Sequence, residues 1–120
     1  MGKELYHVIE KLIKKEREDD WWGFKQQHHS DKAELVHNII CMANNRANRD
    51  SYIIFGIADN TFDIIDVQED SNRRNQQGII DILRNIKFAG SVRPRIELRT
   101  LIIEQKEIDV LIIRNAKINE

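Results

Sequence analysis

A single cysteine, Cys41, in 120 residues excludes an internal disulfide and any zinc site built on several thiolates. That usage points to a reducing compartment, and a cytoplasmic home is the expectation. The five glycines are scattered. No glycine-rich run ends in Gly-Lys-Ser/Thr, and no repeated glycines stand ahead of a helix, so a Walker loop and a Rossmann fingerprint are both missing. No apolar run is long enough to span a bilayer, and the start of the chain is lysine-rich and amphipathic rather than signal-like, so no membrane partner is expected. A surplus of positive charge is also lacking. Nineteen Lys and Arg stand against 20 Asp and Glu, for a net charge of −1, which counts against a strongly basic nucleic-acid binder.

What is present is the composition of a folded domain, with 41% hydrophobic and 32% charged residues. Its length suits one domain over residues 1–120. Charge is unevenly spread: Arg84, Lys87, Arg93, Arg95 and Arg99 face only Glu97 in their stretch. Phosphate binding depends on such local patches rather than on totals.

The chain is organised around Ser51–Asn60, SYIIFGIADN. Its near-continuous apolar run reads as a central strand covered on both faces. Gly56 marks a place of close backbone approach, and Asp59 stands at the strand's exit. Ahead of it, Leu5, Val8, Ile9, Leu12 and Ile13 predict a helix over Lys3–Arg17. Trp21–Gln27 reads as a strand with Trp22 and Phe24 on the core side, and Trp21, Gly23 and Lys25 on the other. Ser30 is the expected cap of a helix over Asp31–Asn44, whose apolar face is Leu35, Val36, Ile39, Ile40, Met42 and Ala43.

Beyond the central strand, Asp59-Asn60-Thr61 is expected to turn the chain into an antiparallel strand over Thr61–Val67. Ile79, Ile80, Leu83 and Ile86 predict a further helix running to about Lys87. A loop bracketed by Gly90 and Pro94 follows. Arg95–Ile103 and Ile108–Arg114 then form a hairpin, with IDVLII in the sheet interior. The order implies an α+β layer fold, helices flanking a mostly antiparallel sheet. The chain halts soon after its last strand, and further domains C-terminal to residue 120 are expected.

Several constellations bear on chemistry. Glu18 and Asp59 flank the first and central strands; if those strands are neighbours, their carboxylates converge and suit a divalent cation, although acids at strand ends are commonly turn residues. Lys25 is a cation near the same end, fit for a phosphate or simply solvated. His37 and Cys41 have the i, i+4 spacing of zinc ligands, but they flank an apolar stripe where a small cysteine and a half-exposed histidine are ordinary. The loops Asn44–Asp50 and Ser71–Arg74 mix arginine with asparagine or serine, a composition suited to phosphate contacts through Arg46, Arg73 and Arg74.

Trp21-Trp22-Gly23-Phe24-Lys25, then Leu35-Val36-His37-Asn38-Ile39-Ile40 leading to Ala43-Asn44, then Tyr52-Ile53-Ile54-Phe55-Gly56-Ile57-Ala58-Asp59, resemble the Schlafen-type, Alba-like domain of bacterial proteins. That domain was once labelled a divergent ATPase domain and is often called DNA-binding. The resemblance covers nearly the whole chain, with Arg73–Lys87 as the second helix. It implies an Alba-like, Schlafen-core lobe in a cytosolic protein that handles nucleic acid, usually the front part of a regulatory, helicase-like or defence protein. In animal Schlafens, two such lobes form a groove for transfer RNA, and three acids hold a divalent metal that cuts RNA.

Carried over by position, the first acid is Glu18 and the third is Asp59, while Lys25 keeps its place. The second acid falls on Gly23, and the glycine-rich loop before the central strand is replaced by Arg46–Asp50. The expected function is therefore nucleic-acid binding through Lys25, Arg46, Arg73, Arg74, Arg93, Arg95 and Arg99, on RNA or DNA. The alternatives are a Mg2+- or Mn2+-dependent endoribonuclease with a degenerate site at Glu18, Lys25 and Asp59, and a homodimeric assembly domain whose sheet edge pairs with a second copy.

Overall fold

A computed structural model describes residues 2–86 and 93–115. Seven elements follow in the order α1 (Gly2–Lys14), β1 (Trp22–Lys25), α2 (Lys32–Ala43), β2 (Ser51–Phe55), α3 (Gln76–Arg84), β3 (Ile96–Ile103) and β4 (Lys106–Ile113). The strands form one sheet in the order β1-β2-β4-β3. β1 runs parallel to β2, with α2 as the crossover, and the other two pairings are antiparallel. This is the expected α+β arrangement, mostly antiparallel with flanking helices. The described helices include none long and apolar enough to cross a membrane.

Alternation along each strand sends side chains to two cores. Trp22, Phe24, Ile54, Ile108, Val110 and Ile112 pack with Ile9, Leu12 and Ile13 of α1. Ile53, Phe55, Leu111 and Ile113 pack with Leu35, Val36 and Ile39 of α2 and with Ile79 and Leu83 of α3. β2 contributes to both, so the central strand has helices over each face. Register also aligns one transverse row of residues, Lys25↔Phe55, Phe55↔Asp109 and Asp109↔Thr100. Directly opposed residues share a face, so these four lie on the α2/α3 side.

The structure corrects several boundaries. α1 ends at Lys14, and Glu16 turns the chain with φ 52°. β1 stops at Lys25, whose carbonyl accepts from Gly56 and Ile57 N–H as the chain leaves β2. Trp21 lies outside the strand and packs toward the α1 core rather than alternating with Gly23 and Lys25. The cap of α2 is Asp31, whose carboxylate accepts from Ala33 N–H at 2.9 Å, and not Ser30. Ile82 joins Ile79, Leu83 and Ile86 on the packed side of α3 in place of Ile80. α3 ends at Arg84, with Asn85 as its C-cap, short of the expected end near Lys87, and the loop at Gly90 lies outside the described residues.

The largest correction is Thr61–Val67. It is not a strand: a single bridge joins Ile57 to Ile64. The chain does turn back, since Ala58 N–H donates to Asp63 O at 2.8 Å. Gly56 at φ 107°, Asn60 at 71° and Phe62 at 58° interrupt every extended run around that turn, so no ladder propagates. Adding a Cβ at Gly56 brings it to 3.0 Å from Ile65 O, so the glycine permits the predicted close backbone approach.

Candidate functional site

β1 and β2 are parallel neighbours, so the segment entering β1 and the segment leaving β2 start at opposite ends of the pair. Glu18 precedes β1, and its Oε2 accepts from Phe24 N–H at 2.7 Å, which folds the carboxylate back along the strand. Two clefts share Glu18 as a wall. One, of about 470 Å³, is lined by Glu18, Phe24, Ala58, Asp59, Asn60 and Phe62. The other, of about 230 Å³, lies between β1 and α2, with Glu18, Asp19, Gly23, Lys25, Asn38 and Met42 among its lining. Glu18 and Asp59 thus border one space, and Glu18 and Lys25 another. Asp19 is held below the usual carboxylate range, chiefly by the backbone N–H of Asp20.

Gly23 sits between these walls. A Cβ built there lies 3.1 Å from Glu18 Oε2 and 3.2 Å from Met42 Cε, both ends of flexible side chains. The position contributes no carboxylate, and the Glu18 oxygen nearest it already accepts a backbone hydrogen bond. Among the described residues, no three His, Cys, Asp or Glu side chains gather as a group able to hold a metal. The donor set therefore falls short of a three-carboxylate cation site. His37 and Cys41 do meet, with Nε2 and Sγ 3.6 Å apart on the exposed side of α2, but no third ligand joins them among the described residues.

The predicted cations fall into different places. Lys25 is half-buried and has no carboxylate within ion-pair distance among the described residues. Arg46 is exposed, its loop tied down by Asp20 Oδ2 accepting from Arg46 N–H at 2.7 Å. Arg93 and Arg95 are exposed ahead of β3, and Arg99 on β3 pairs with Glu97. Arg74 donates to the carbonyl of His29. Arg73 is committed elsewhere: its Nε and Nη2 reach Asp109 at 2.9 and 3.0 Å, and Nη2 reaches Glu107 at 3.0 Å.

Asp109 anchors a buried network that composition did not bring to notice. Its side chain is 1% exposed, with His28 Nε2 at 2.7 Å and the Thr100 hydroxyl donating at 2.6 Å. Burial alone would raise the pKa of this carboxyl. Hydrogen bonds from His28, Arg73 and Thr100 and the charge of Arg73 outweigh that effect and hold it well below the usual range. Arg73 is raised in turn, first by its hydrogen bond to Asp109. The ring of His28 stacks on Phe55 at 4.1 Å, and Arg74 N–H donates to its Nδ1, which leaves the ring proton on Nε2 facing Asp109. A signal was available in the sequence: Asp109 is a lone acid inside IDVLII, and an acid on an inner strand needs partners.

At the other end of the row, His29 meets Phe55 edge-on, and its Nε2 lies 2.7 Å from Asn38 Nδ2. Burial, followed by the positive charge of Lys25, lowers its pKa to about 4, so the ring is neutral near pH 7. In the sequence Asn38 stands out only as part of a motif, yet it lines the Glu18–Lys25 cleft.

No curated protein matches the chain. The family model described as Schlafen, AlbA_2 matches residues 18–120, which takes in β1 through β4 and both clefts. The chain belongs to the Schlafen/AlbA_2 family, a group of nucleic-acid-related domains.

Proposed function

We propose that this domain binds nucleic acid by its sugar–phosphate backbone, with Lys25 as the central contact, and does not cut it. The observation that carries this reading is the pairing of Lys25 with Gly23 in one cleft: a cation free of carboxylate partners among the described residues stands where the family's second acid is absent. An ammonium in a narrow cleft attracts a phosphate more strongly than one on a flat surface, because the low-dielectric walls focus its field. Arg46, Arg93 and Arg95 are further exposed cations that a longer ligand could reach, whereas Arg99 already pairs with Glu97. Arg73 and Arg74 serve the fold instead, since their side chains are engaged by Asp109, Glu107 and the His29 carbonyl.

The test is binding of labelled transfer RNA, single-stranded DNA and duplex DNA at two salt concentrations. Binding is expected to weaken with salt, and Lys25→Met to lower both affinity and the log–log salt slope, the latter by about one. No salt-dependent binding to any of the three would sink the reading.

One observation favours the alternative of RNA cleavage, namely that Glu18 and Asp59 border the same cleft. That reading predicts cutting that requires Mg2+ or Mn2+, is abolished by Asp59→Ala and is raised by Gly23→Glu. An unchanged rate in Gly23→Glu would remove it.

A further inference from the structure

Asn38 stands in α2 where a helix interior favours a straight-chain or small residue, because an asparagine side chain competes for backbone hydrogen bonds. It is nevertheless half-buried and faces the space lined by Glu18, Gly23 and Lys25. Beneath it, His29 is 6% exposed and carries a second anomaly. With Nε2 occupied by the Asn38 amide, the neutral ring holds its proton on Nδ1, and that buried atom has no hydrogen-bond partner among the described residues. A buried polar atom left unsatisfied is a penalty that folded proteins seldom carry without a functional reason. Phenylalanine here would fill the same space beside Phe55 and carry no such penalty.

The result is an amide held in one orientation. One Asn38 N–H is taken by His29 Nε2, which leaves the second N–H and Oδ1 for the cleft, next to Lys25. Such preorganisation of a binding group by a packed partner is how sites achieve geometric precision. We propose that Asn38 is a further ligand contact, donating its free amide N–H to the phosphate that Lys25 neutralises, and that His29 is the positioning residue that fixes this amide. The proposal rests on the backbone-binding reading above and gives its cleft an uncharged reader beside the charged one.

The two contacts separate by salt dependence. Counterion release counts cations laid on phosphates, so loss of an amide contact weakens binding without altering the slope. With whichever of labelled transfer RNA, single-stranded DNA or duplex DNA binds the parent as the probe, Asn38→Ala is expected to lower affinity about three- to tenfold at an unchanged salt slope. His29→Phe is expected to give a similar loss, and the double variant no more than either single one, since both remove the same interaction. A purely structural role for His29 would shift the melting temperature and leave the two affinity losses independent. Asn38→Ala binding like the parent, or losses that multiply in the double variant, would overturn the inference while leaving the binding function standing. A parent that binds no nucleic acid would overturn both.

Discussion

The transverse row Lys25–Phe55–Asp109–Thr100 places two kinds of charge on one face, two strands apart. At one end, Asp109 is enclosed by His28, Arg73 and Thr100, and every charge has a partner inside the protein. At the other, Lys25 looks into a cleft with no carboxylate in ion-pair range among the described residues. Phe55 divides them, with His28 stacked on its ring and His29 meeting it edge-on; one histidine serves Asp109 and the other serves Asn38. The difference teaches that an arginine or lysine cannot be assigned to ligand binding from its type and loop alone. What decides is whether the fold has already supplied its counter-charge.

The sharpest way to break the comparison is to remove the enclosed carboxylate. Asp109→Ala leaves Arg73 and His28 without their shared partner and is expected to cost about 3–5 kcal/mol in a denaturant melt. A loss under about 1 kcal/mol would mean that Asp109 is not the anchor described.

Acid should act on both ends in sequence. The unfolded His29 takes up a proton as pH falls through about 6.5, whereas the folded one resists until about 4. Stability should therefore drop between those values, by an amount on the order of 3 kcal/mol. His29→Phe should flatten that window. Asp109, whose folded pKa is depressed, contributes stability above its unfolded pKa and loses it only as pH falls below about 4. Melting curves taken from pH 7 to 3 should show the two losses in that order, and no change between pH 6.5 and 4 would contradict the buried neutral His29.

Exchanging the two cations for methionine sharpens the contrast further. Arg73→Met should destabilise by about 2–3 kcal/mol, while Lys25→Met should change stability by less than about 0.5 kcal/mol and act on ligand affinity instead. Equal melting midpoints for the two variants would erase the distinction. The smallest expected effect is at Gly23. Only the movable ends of Glu18 and Met42 meet a new Cβ, so Gly23→Ala should shift stability by less than about 1 kcal/mol in either direction. A larger loss would show the cleft to be more rigid than its lining implies.

Much of the fold was legible because burial on two faces writes an unmistakable pattern. SYIIF reads as an inner strand and is one, and the periodic Leu35, Val36 and Ile39 read as a packed helix face and are one. Thr61–Val67 misled because local apolar content carries no information about a backbone that three left-handed residues have already diverted. In the candidate site, parallel pairing of β1 with β2 does not by itself join Glu18 to Asp59; they border one cleft because Glu18 folds back along β1 to accept from Phe24 N–H. The commitment of Arg73 did not follow, because Asp109 is distant in sequence and is brought to it only by the registers of β4 and α3's leading loop. Asn38 stayed hidden for a similar reason: its partner His29 lies in a loop with no period to reveal which way it points.

The position of β2 has a consequence for how the chain reaches this structure. Tyr52 pairs with Trp22 on one side and with Ile112 on the other, so neither neighbour is local. Loop closure must precede both pairings, and refolding is expected on a scale of about milliseconds to seconds rather than microseconds. During synthesis the strand emerges well before β4 exists to cover its second edge. Until the β3–β4 hairpin arrives, SYIIF is an apolar strand with one side open, and that interval is when the nascent chain is most exposed to mispairing.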